Sequence, residues 1–257
     1  MKRLISLANQ FPSSTMVFVW DSKHSIRKTI YPQYKQQRVK AGREATDQEK
    51  HNKRIAHLQF DEIRETVLPS LGFANNYIQI GYEGDDLMAS IVRNNKEYVL
   101  TVVTTDKDIY QLIGNNCRLY NPATKTLRTV GVFEKEYGCH PSLWGEAKAI
   151  AGCSTDNVFG VRGVAEPTAI KYLLGEMNPK TKKFKDIEAS KDMVIENREL
   201  VMLPMHGTRN IKINNSDNLS RQKFVKICEK YNFKSFLTPK NLDAWDKINV
   251  NCDKRRK

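Results

Sequence analysis

This sequence predicts an α/β fold with a central, mostly parallel sheet, followed by a mainly helical segment. Three observations carry that expectation. Short runs rich in Val, Ile and Thr, at 16–20, 77–80 and 98–103, read as buried strands separated by helix-like stretches. From Pro141 onward the apolar residues fall at helical intervals instead. All three apolar runs end on acidic residues: Asp21, then Glu83-Gly-Asp85-Asp86, then Asp106-Lys-Asp108. The carboxyl ends of parallel strands share one sheet edge, which is where α/β folds hold ligands.

Taken in order, residues 1–15 read as the end of a helix (Leu4, Ile5, Leu7, Ala8) and a Pro-Ser-Ser turn, and the first strand follows. Residues 23–54 carry ten basic against three acidic side chains, with few large apolar groups after Tyr34. Such a stretch buries little of itself and is expected to be mobile or to arch over a site. Ile55, Leu58, Ile63 and Val67 then set a helix over 46–71, capped by Gly72. The strand at 77–80, a helix over 84–94 and the strand at 98–103 read as a right-handed βαβ unit.

Asp108 opens a short helix, and 118–133 is hairpin-like, with Asn-Pro and Thr-Lys at its turn. Helices are expected over 144–151, 167–174, 221–232 and 240–248. A basic loop or linker is expected at 179–186 and a disordered tail at 253–257. No solenoid-type repeat is present.

The whole chain narrows the function classes. Its 257 residues, 40% of them hydrophobic, suffice for one large domain or a main domain with a smaller one. No apolar run reaches the ~18–20 residues of a membrane span, and the N-terminus makes a poor signal peptide. Cys117, Cys139, Cys153, Cys228 and Cys252 lack CxxC spacing, so free thiols in a reducing cytoplasm are expected. The net charge of +13 beside a clustered acidic set favours a polyanion, nucleic acid, as partner.

The acidic set carries the chemistry. Glu83, Asp85 and Asp86 suit a helix N-terminus, Asp106 and Asp108 suit a cap, and Asp21 suits a loop start, so each group has a structural reading of its own. Gathered at one edge, the six carboxylates would repel one another unless cations lay between them. Oxygen ligands in that number suit Mg²⁺ or Mn²⁺, and a pair of such ions is a common device for cleaving a phosphodiester.

Two further segments accompany them. In 27–38 basic and aromatic residues alternate: Tyr31 and Tyr34 could stack on bases or pack inward, while Lys35 and Arg38 could engage phosphates. The glycine-rich hairpin at 152–164 leads into a helix and could offer backbone N–H groups to a phosphate.

The strand ending at Asp21, RKTIYPQYKQQR, GYEGDD, TTDKDIYQL and GCSTDNVFGVRGV occur here in one order. That ordered set resembles the phage and bacterial 5′→3′ exonucleases, structure-specific 5′ nucleases related to the flap endonucleases and to the 5′-nuclease domain of bacterial DNA polymerase I. The resemblance runs from about Leu4 to Leu174. It implies a PIN-like nuclease domain with a mostly parallel central sheet over 1–138 and a mainly helical helix–three-turn–helix DNA-binding domain over 139–257.

It also implies a divalent-metal-dependent 5′→3′ exonuclease or 5′ flap endonuclease of phage or bacterial DNA replication and repair. Two ions, Mg²⁺ or Mn²⁺, are implied. Asp21, Glu83, Asp85 and Asp86 would form or support the first site, and Asp106, Asp108 and Asp156 would serve the second. Lys35 and Arg38 would be catalytic. Arg27, Tyr31, Tyr34, Gly160, Val161, Arg162, Gly163, Val164, Thr168 and Lys171 would contact DNA. The expected partner is DNA with a 5′ end, flap or nick, or an RNA–DNA hybrid, with no membrane; a monomer in the host cytoplasm is expected.

The sequence departs from that family pattern at two places. A further first strand bearing a metal-binding aspartate is expected ahead of Asp21, where this sequence has no acidic residue. Its absence would follow from a start set too far downstream, from a strand supplied by another polypeptide, or from weakened catalysis. Cys153 stands where many relatives carry aspartate, and Ala165 and Pro167 replace glycine and lysine in the hairpin. The alternative function is therefore a catalytically impaired member that binds branched DNA without cutting.

Overall fold

The computed structural model describes residues 1–12 and 14–254, the side chains of 249–254 excepted. Two compact units emerge: Met1–Val19, Ala45–Tyr77 and Ile213–Lys257 form one, and Trp20–Glu44 with Ile78–Lys212 forms the other.

The first unit begins with helix α1 (Lys2–Gln10), whose Ile5 and Ala8 are buried, and strand β1 (Phe18–Trp20) follows at its boundary. Within the second unit come two short helices, α2 (Arg27–Ile30) and α3 (Gln36–Glu44). The basic stretch is thus helical, and its shortage of apolar groups shows in α3, which buries nothing.

Back in the first unit, helix α4 (Asp47–Glu62) starts on Thr46, which exchanges a reciprocal capping contact with Glu49. A π-helical turn at Ile63–Val67 carries it into α5 (Leu68–Leu71). Gly72 ends it at φ +99°, and a Cβ there would fall 1.9 Å from the Asn218 carbonyl oxygen, so only glycine fits. Strand β2 (Asn76–Ile78) pairs with β1. Phe73 meets Phe18 and Trp245 edge-on, and Trp245 stacks on Phe224 at 4.4 Å, which builds this unit's core.

The second unit continues with α6 (Gly84–Asn94) and strand β3 (Leu100–Val103). A 3₁₀ turn at Asp108–Leu112 leads to β4 (Cys117–Asn121) and β5 (Thr126–Arg128). Strand β3 runs parallel to β4, and β5 antiparallel to β4, which gives the expected hairpin up to Arg128, while 130–133, expected to belong to it, are helical. Among the described residues β2 ladders with β1 and β3 with β4, so the expected strand–helix–strand neighbours take different partners.

Helices α7 (Val130–Tyr137) and α8 (Trp144–Ala151) follow, then a two-residue hairpin of β6 (Gly152–Cys153) and β7 (Val158–Phe159). Helix α8 is buried on most sides because its residues are small or apolar. Trp144, Phe133, Ile109, Ala147, Ile150 and Ile170 make the main core.

Beyond it lie α9 (Glu166–Leu173), α10 (Lys182–Ala189) and α11 (Lys191–Val201). The basic loop expected at 179–186 is a helix from Lys182 on. Thr181 accepts a capping bond from the Phe184 N–H, and Ile187 packs into the core while the lysines stay outside. The first unit closes with α12 (Arg221–Lys230) and α13 (Pro239–Lys254). Of the tail expected to be disordered, Asp253 and Lys254 belong to α13, and 255–257 lie outside the described residues.

Candidate metal centre

The first turn of α6 fixes the site. Ser22 N–H donates to the Tyr82 carbonyl at 3.0 Å and Ile26 N–H to that of Gly81 at 2.8 Å, holding the segment after β1 beside this turn. Asp21 Oδ1 accepts the Gly84 N–H at 2.7 Å, a bond that suits a carboxylate at a helix N-terminus. Two adjacent aspartates then point different ways.

Asp86 is fully buried. Its oxygens accept both terminal nitrogens of Arg27 at 2.6 and 2.7 Å, and Oδ1 also accepts the Met205 N–H at 2.9 Å. Arg27, only 2% exposed, sends its Nε–H to the Leu200 carbonyl. Burial works against the guanidinium's charge, yet the Asp86 carboxylate holds its pKa above the ordinary value. Asp86 has its oxygens committed to Arg27 and to the Met205 and Glu83 N–H groups, so of the two roles expected for it, forming or supporting the site, its bonding is that of a support. Arg27 is an internal counter-ion with its guanidinium engaged by Asp86 and Leu200, which corrects the expected DNA contact.

Asp85 makes no hydrogen bond or ion pair among the described residues. Its pKa is pushed up to about 7, first by burial and then by the negative charge of Asp106, Asp21 and Glu83. Asp106 is exposed, and its Oδ1 accepts the Asp108 N–H at 2.9 Å. This group of Asp21, Glu83, Asp85 and Asp106 offers oxygen donors alone, a chemistry that fits a hard divalent ion.

A second group is linked to Glu83 through Lys35 and Tyr34. Donor atoms of Asp108, Cys153 and Asp156 all fall within 4.8 Å of one another. Cys153 Sγ donates to Asp108 Oδ2 at 3.2 Å and lies 3.1 Å from Thr155 Oγ1. Burial pushes its pKa up to about 11. Lys148 Nζ sits 3.1 Å from Asp108 and 3.2 Å from Glu166. Burial disfavours that ammonium, but Asp108 and its neighbours raise its pKa. Lys148 was missed in the sequence because it sits amid the small apolar residues of α8 with no local partner. Asn197 was missed likewise; its amide donates to the Ala149 and Phe159 carbonyls and ties α11 to the hairpin.

Lys35 and Tyr34 bridge the groups, and Arg38 joins them at Asp156. Lys35 Nζ is 2.7 Å from Glu83 and 3.8 Å from Asp156, and Arg38 is 2.9 Å from Asp156. Lys35 adopts φ +53°, a conformation uncommon away from glycine, while its N–H donates to the Asp156 carbonyl at 2.8 Å. Tyr34 donates toward both Glu83 and Asp156, each at 3.1 Å. Burial and those carboxylates raise its pKa. At 2% exposure its ring cannot stack on a base, which corrects the expected DNA contact; Tyr31 is half-buried beside it.

In the hairpin, Gly160 passes so close to Ala151 that a Cβ would lie 2.1 Å from its carbonyl. Val161 and Val164 are buried, with their N–H groups given to the Ile150 and Val161 carbonyls. The expected DNA contacts at these two valines are corrected: side chains and N–H groups alike serve the fold. Gly163 sits at φ +74° with open space around it, and Arg162, Gly163 and Lys171 are exposed, with Thr168 partly so.

Residues 1–138 match the family model described as the 5′-3′ exonuclease N-terminal resolvase-like domain. The thermostable DNA polymerase I of Thermus aquaticus is 33% identical over 161 residues, covering 62% of this chain and 18% of the polymerase. A 5′-3′ exonuclease of Aquifex aeolicus is 30% identical over 176 residues, covering 67% of this chain and 56% of that protein. The chain therefore spans little more than half the length of the one and under a fifth of the other. Among solved structures, the T5 D15 protein co-crystallised with metal ions superposes with a TM-score of 0.69 at 18% identity, covering 100% of this chain and 91% of that one. A T5 D15 flap endonuclease complex with DNA and metal ions gives 0.68 at 18% identity, covering 98% and 89%. At such identity these two establish the fold.

Proposed function

Because this chain belongs to the 5′-3′ exonuclease family, matched over its first 138 residues, we propose that it hydrolyses phosphodiester bonds of DNA at a 5′ end, flap or nick. An RNA–DNA hybrid is a further substrate on this reading. The observation that carries it is Asp85, unpaired and crowded by Asp21, Glu83 and Asp106. Asp86 is sealed by a direct partner, Arg27, whereas Asp85 has no ion pair among the described residues and the nearby Lys35 is held by Glu83. The solved T5 D15 relatives hold metal ions, and one holds DNA as well.

Two divalent ions, Mg²⁺ or Mn²⁺, would supply an activated water and positive charge for the leaving oxygen. Asp21, Glu83, Asp85 and Asp106 would hold one, and Asp108 and Asp156 the other. The chain's own residues do the rest. Lys35 and Arg38 exchange their carboxylate partners for the phosphate and offset the charge it develops. Tyr34 keeps Glu83 and Asp156 oriented while the lysine is away. Arg162, Gly163, Thr168 and Lys171 face the duplex backbone from the helical region after 138, which this reading takes as the helix–three-turn–helix domain. On this reading the protein works as a monomer in the cytoplasm, where DNA is processed. No helix among the described residues is long and apolar enough to cross a membrane.

The test is cleavage of a 5′-labelled flap duplex with Mg²⁺, beside Asp106→Ala and an EDTA control. Products that vanish in both controls support the reading, and products that survive both refute it. Cys153 favours a second reading, a member that binds branched DNA without cutting. In that case flap binding persists in EDTA and no product forms with any divalent ion.

A further inference from the structure

The two carboxylate groups differ in one donor. Around Asp85 every donor is oxygen, whereas the group at the start of β6 includes the Cys153 sulfur, 4% exposed and 3.2 Å from Asp108 Oδ2. We propose that Cys153 makes the Asp108–Cys153–Asp156 group a sulfur-containing site that selects a thiophilic divalent ion, of the Zn²⁺, Co²⁺ or Cd²⁺ class, over Mg²⁺. The proposal builds on the metal-dependent reading above and concerns which ion enters the second position.

The spacing agrees with that chemistry. Tetrahedral zinc, with bonds of about 2.3 Å to sulfur and about 2.1 Å to carboxylate oxygen, sets S···O at about 3.6 Å. The three donors already lie within 4.8 Å of one another, with sulfur and Asp108 closer than that ideal edge. A small widening of this pair and a slight approach of Asp156 complete the three protein ligands of an open site.

Mg²⁺ demands near-octahedral oxygen ligands and holds its own waters tightly, so sulfur in the set penalises it. Thiolate sulfur favours the softer ions, and binding sends the thiol proton to solvent. Lys148 and Thr155 flank the site: Lys148 steadies Asp108, and the Thr155 hydroxyl fixes the sulfur. Such outer contacts orient ligands in metal sites generally. The result is an asymmetric centre, hard at Asp85 and softer at Cys153.

The experiment titrates the full metal-free chain with Co²⁺ and follows the near-ultraviolet thiolate-to-cobalt charge-transfer band. Cys153→Ser and Cys153→Asp are compared with Cys252→Ser as a control, and circular dichroism establishes that each variant is folded. The band is expected in the native chain and in Cys252→Ser, and is expected to be lost in both Cys153 variants. Zn²⁺ should displace it at concentrations far below those of Mg²⁺. In Cys153→Asp the preference for Zn²⁺ over Mg²⁺, read by competition, should fall by about 10-fold or more.

No band in the native chain, or a band that persists in folded Cys153→Ser, overturns the proposal. The nuclease reading fails separately. A cobalt–sulfur band without flap cleavage by any ion leaves the site standing and removes the activity. Mg²⁺-driven cleavage without a band does the reverse.

Discussion

Asp85 and Asp86 are chain neighbours on the first turn of α6 and end in opposite environments. Asp86 is sealed with Arg27 in a two-pronged ion pair, and the Met205 and Glu83 N–H groups complete its bonding. Asp85 is pushed up to about 7, first by burial and then by three acidic neighbours. One residue along a helix turns a side chain by about 100°, enough to send one carboxylate to Arg27 and the other toward Asp106, Asp21 and Glu83. The difference separates carboxylates that build the site from carboxylates that can serve a ligand. Asp86 finds its cation inside the chain, whereas Asp85 has no ion pair among the described residues.

The largest expected effect attacks the sealed half. Arg27→Ala leaves Asp86 buried and unpaired, which should cost about 3–5 kcal/mol in urea unfolding. The double variant Arg27→Met with Asp86→Leu should recover most of that loss, because apolar groups of similar volume replace the pair. A double variant no better than the single one would mean that the pair does more than fill the core.

The open half should respond in the opposite sense. Asp85 binds its proton more tightly folded than unfolded. Its contribution to stability is full below the unfolded value near 4 and declines as pH rises toward about 7. At 1.36 kcal/mol per unit, the decline amounts to at most about 4 kcal/mol. In metal-free protein, Asp85→Asn should flatten that slope and stabilise the fold at pH 8, while Asp86→Asn destabilises it. Unfolding curves across this range would check it, and a slope unchanged in Asp85→Asn would count against the crowding.

A third test concerns the cations between the halves. Lys35→Ala should lower flap cleavage about 100- to 1,000-fold, as expected when a group that offsets transition-state charge is lost. Stability should change far less than in Arg27→Ala, because Lys35 and Glu83 are partly open to water. Equal losses of stability in both variants would erase the distinction drawn here. The smallest effect is expected from Lys148→Met, which removes the support of Asp108 from outside the ligand set. Divalent-ion affinity should fall about 10-fold, measured by calorimetric titration.

Much of this arrangement was legible in the sequence. Periodicity and caps announced α6, α8 and the turn at Gly72, because these features are local. The acidic strand ends announced a candidate cation site for the same reason. Partner choice was not legible. Arg27 reads as one more base in a basic stretch, and only a contact 59 residues away removes it from the surface. Tyr34 reads as a stacking platform until the fold brings Glu83 and Asp156 to its hydroxyl. The lysine-rich run at 182–185 reads as a loop, although Thr181 and Ile187 suffice to anchor a helix there. In each case a long-range contact or a short apolar stripe outweighed the composition around it.

The most direct test of the account compares Asp85→Asn with the double variant Arg27→Met and Asp86→Leu on a 5′-labelled flap duplex with Mn²⁺. The account predicts that the double variant folds and cuts, while Asp85→Asn folds and yields no product. Cleavage by Asp85→Asn at the native rate would contradict it.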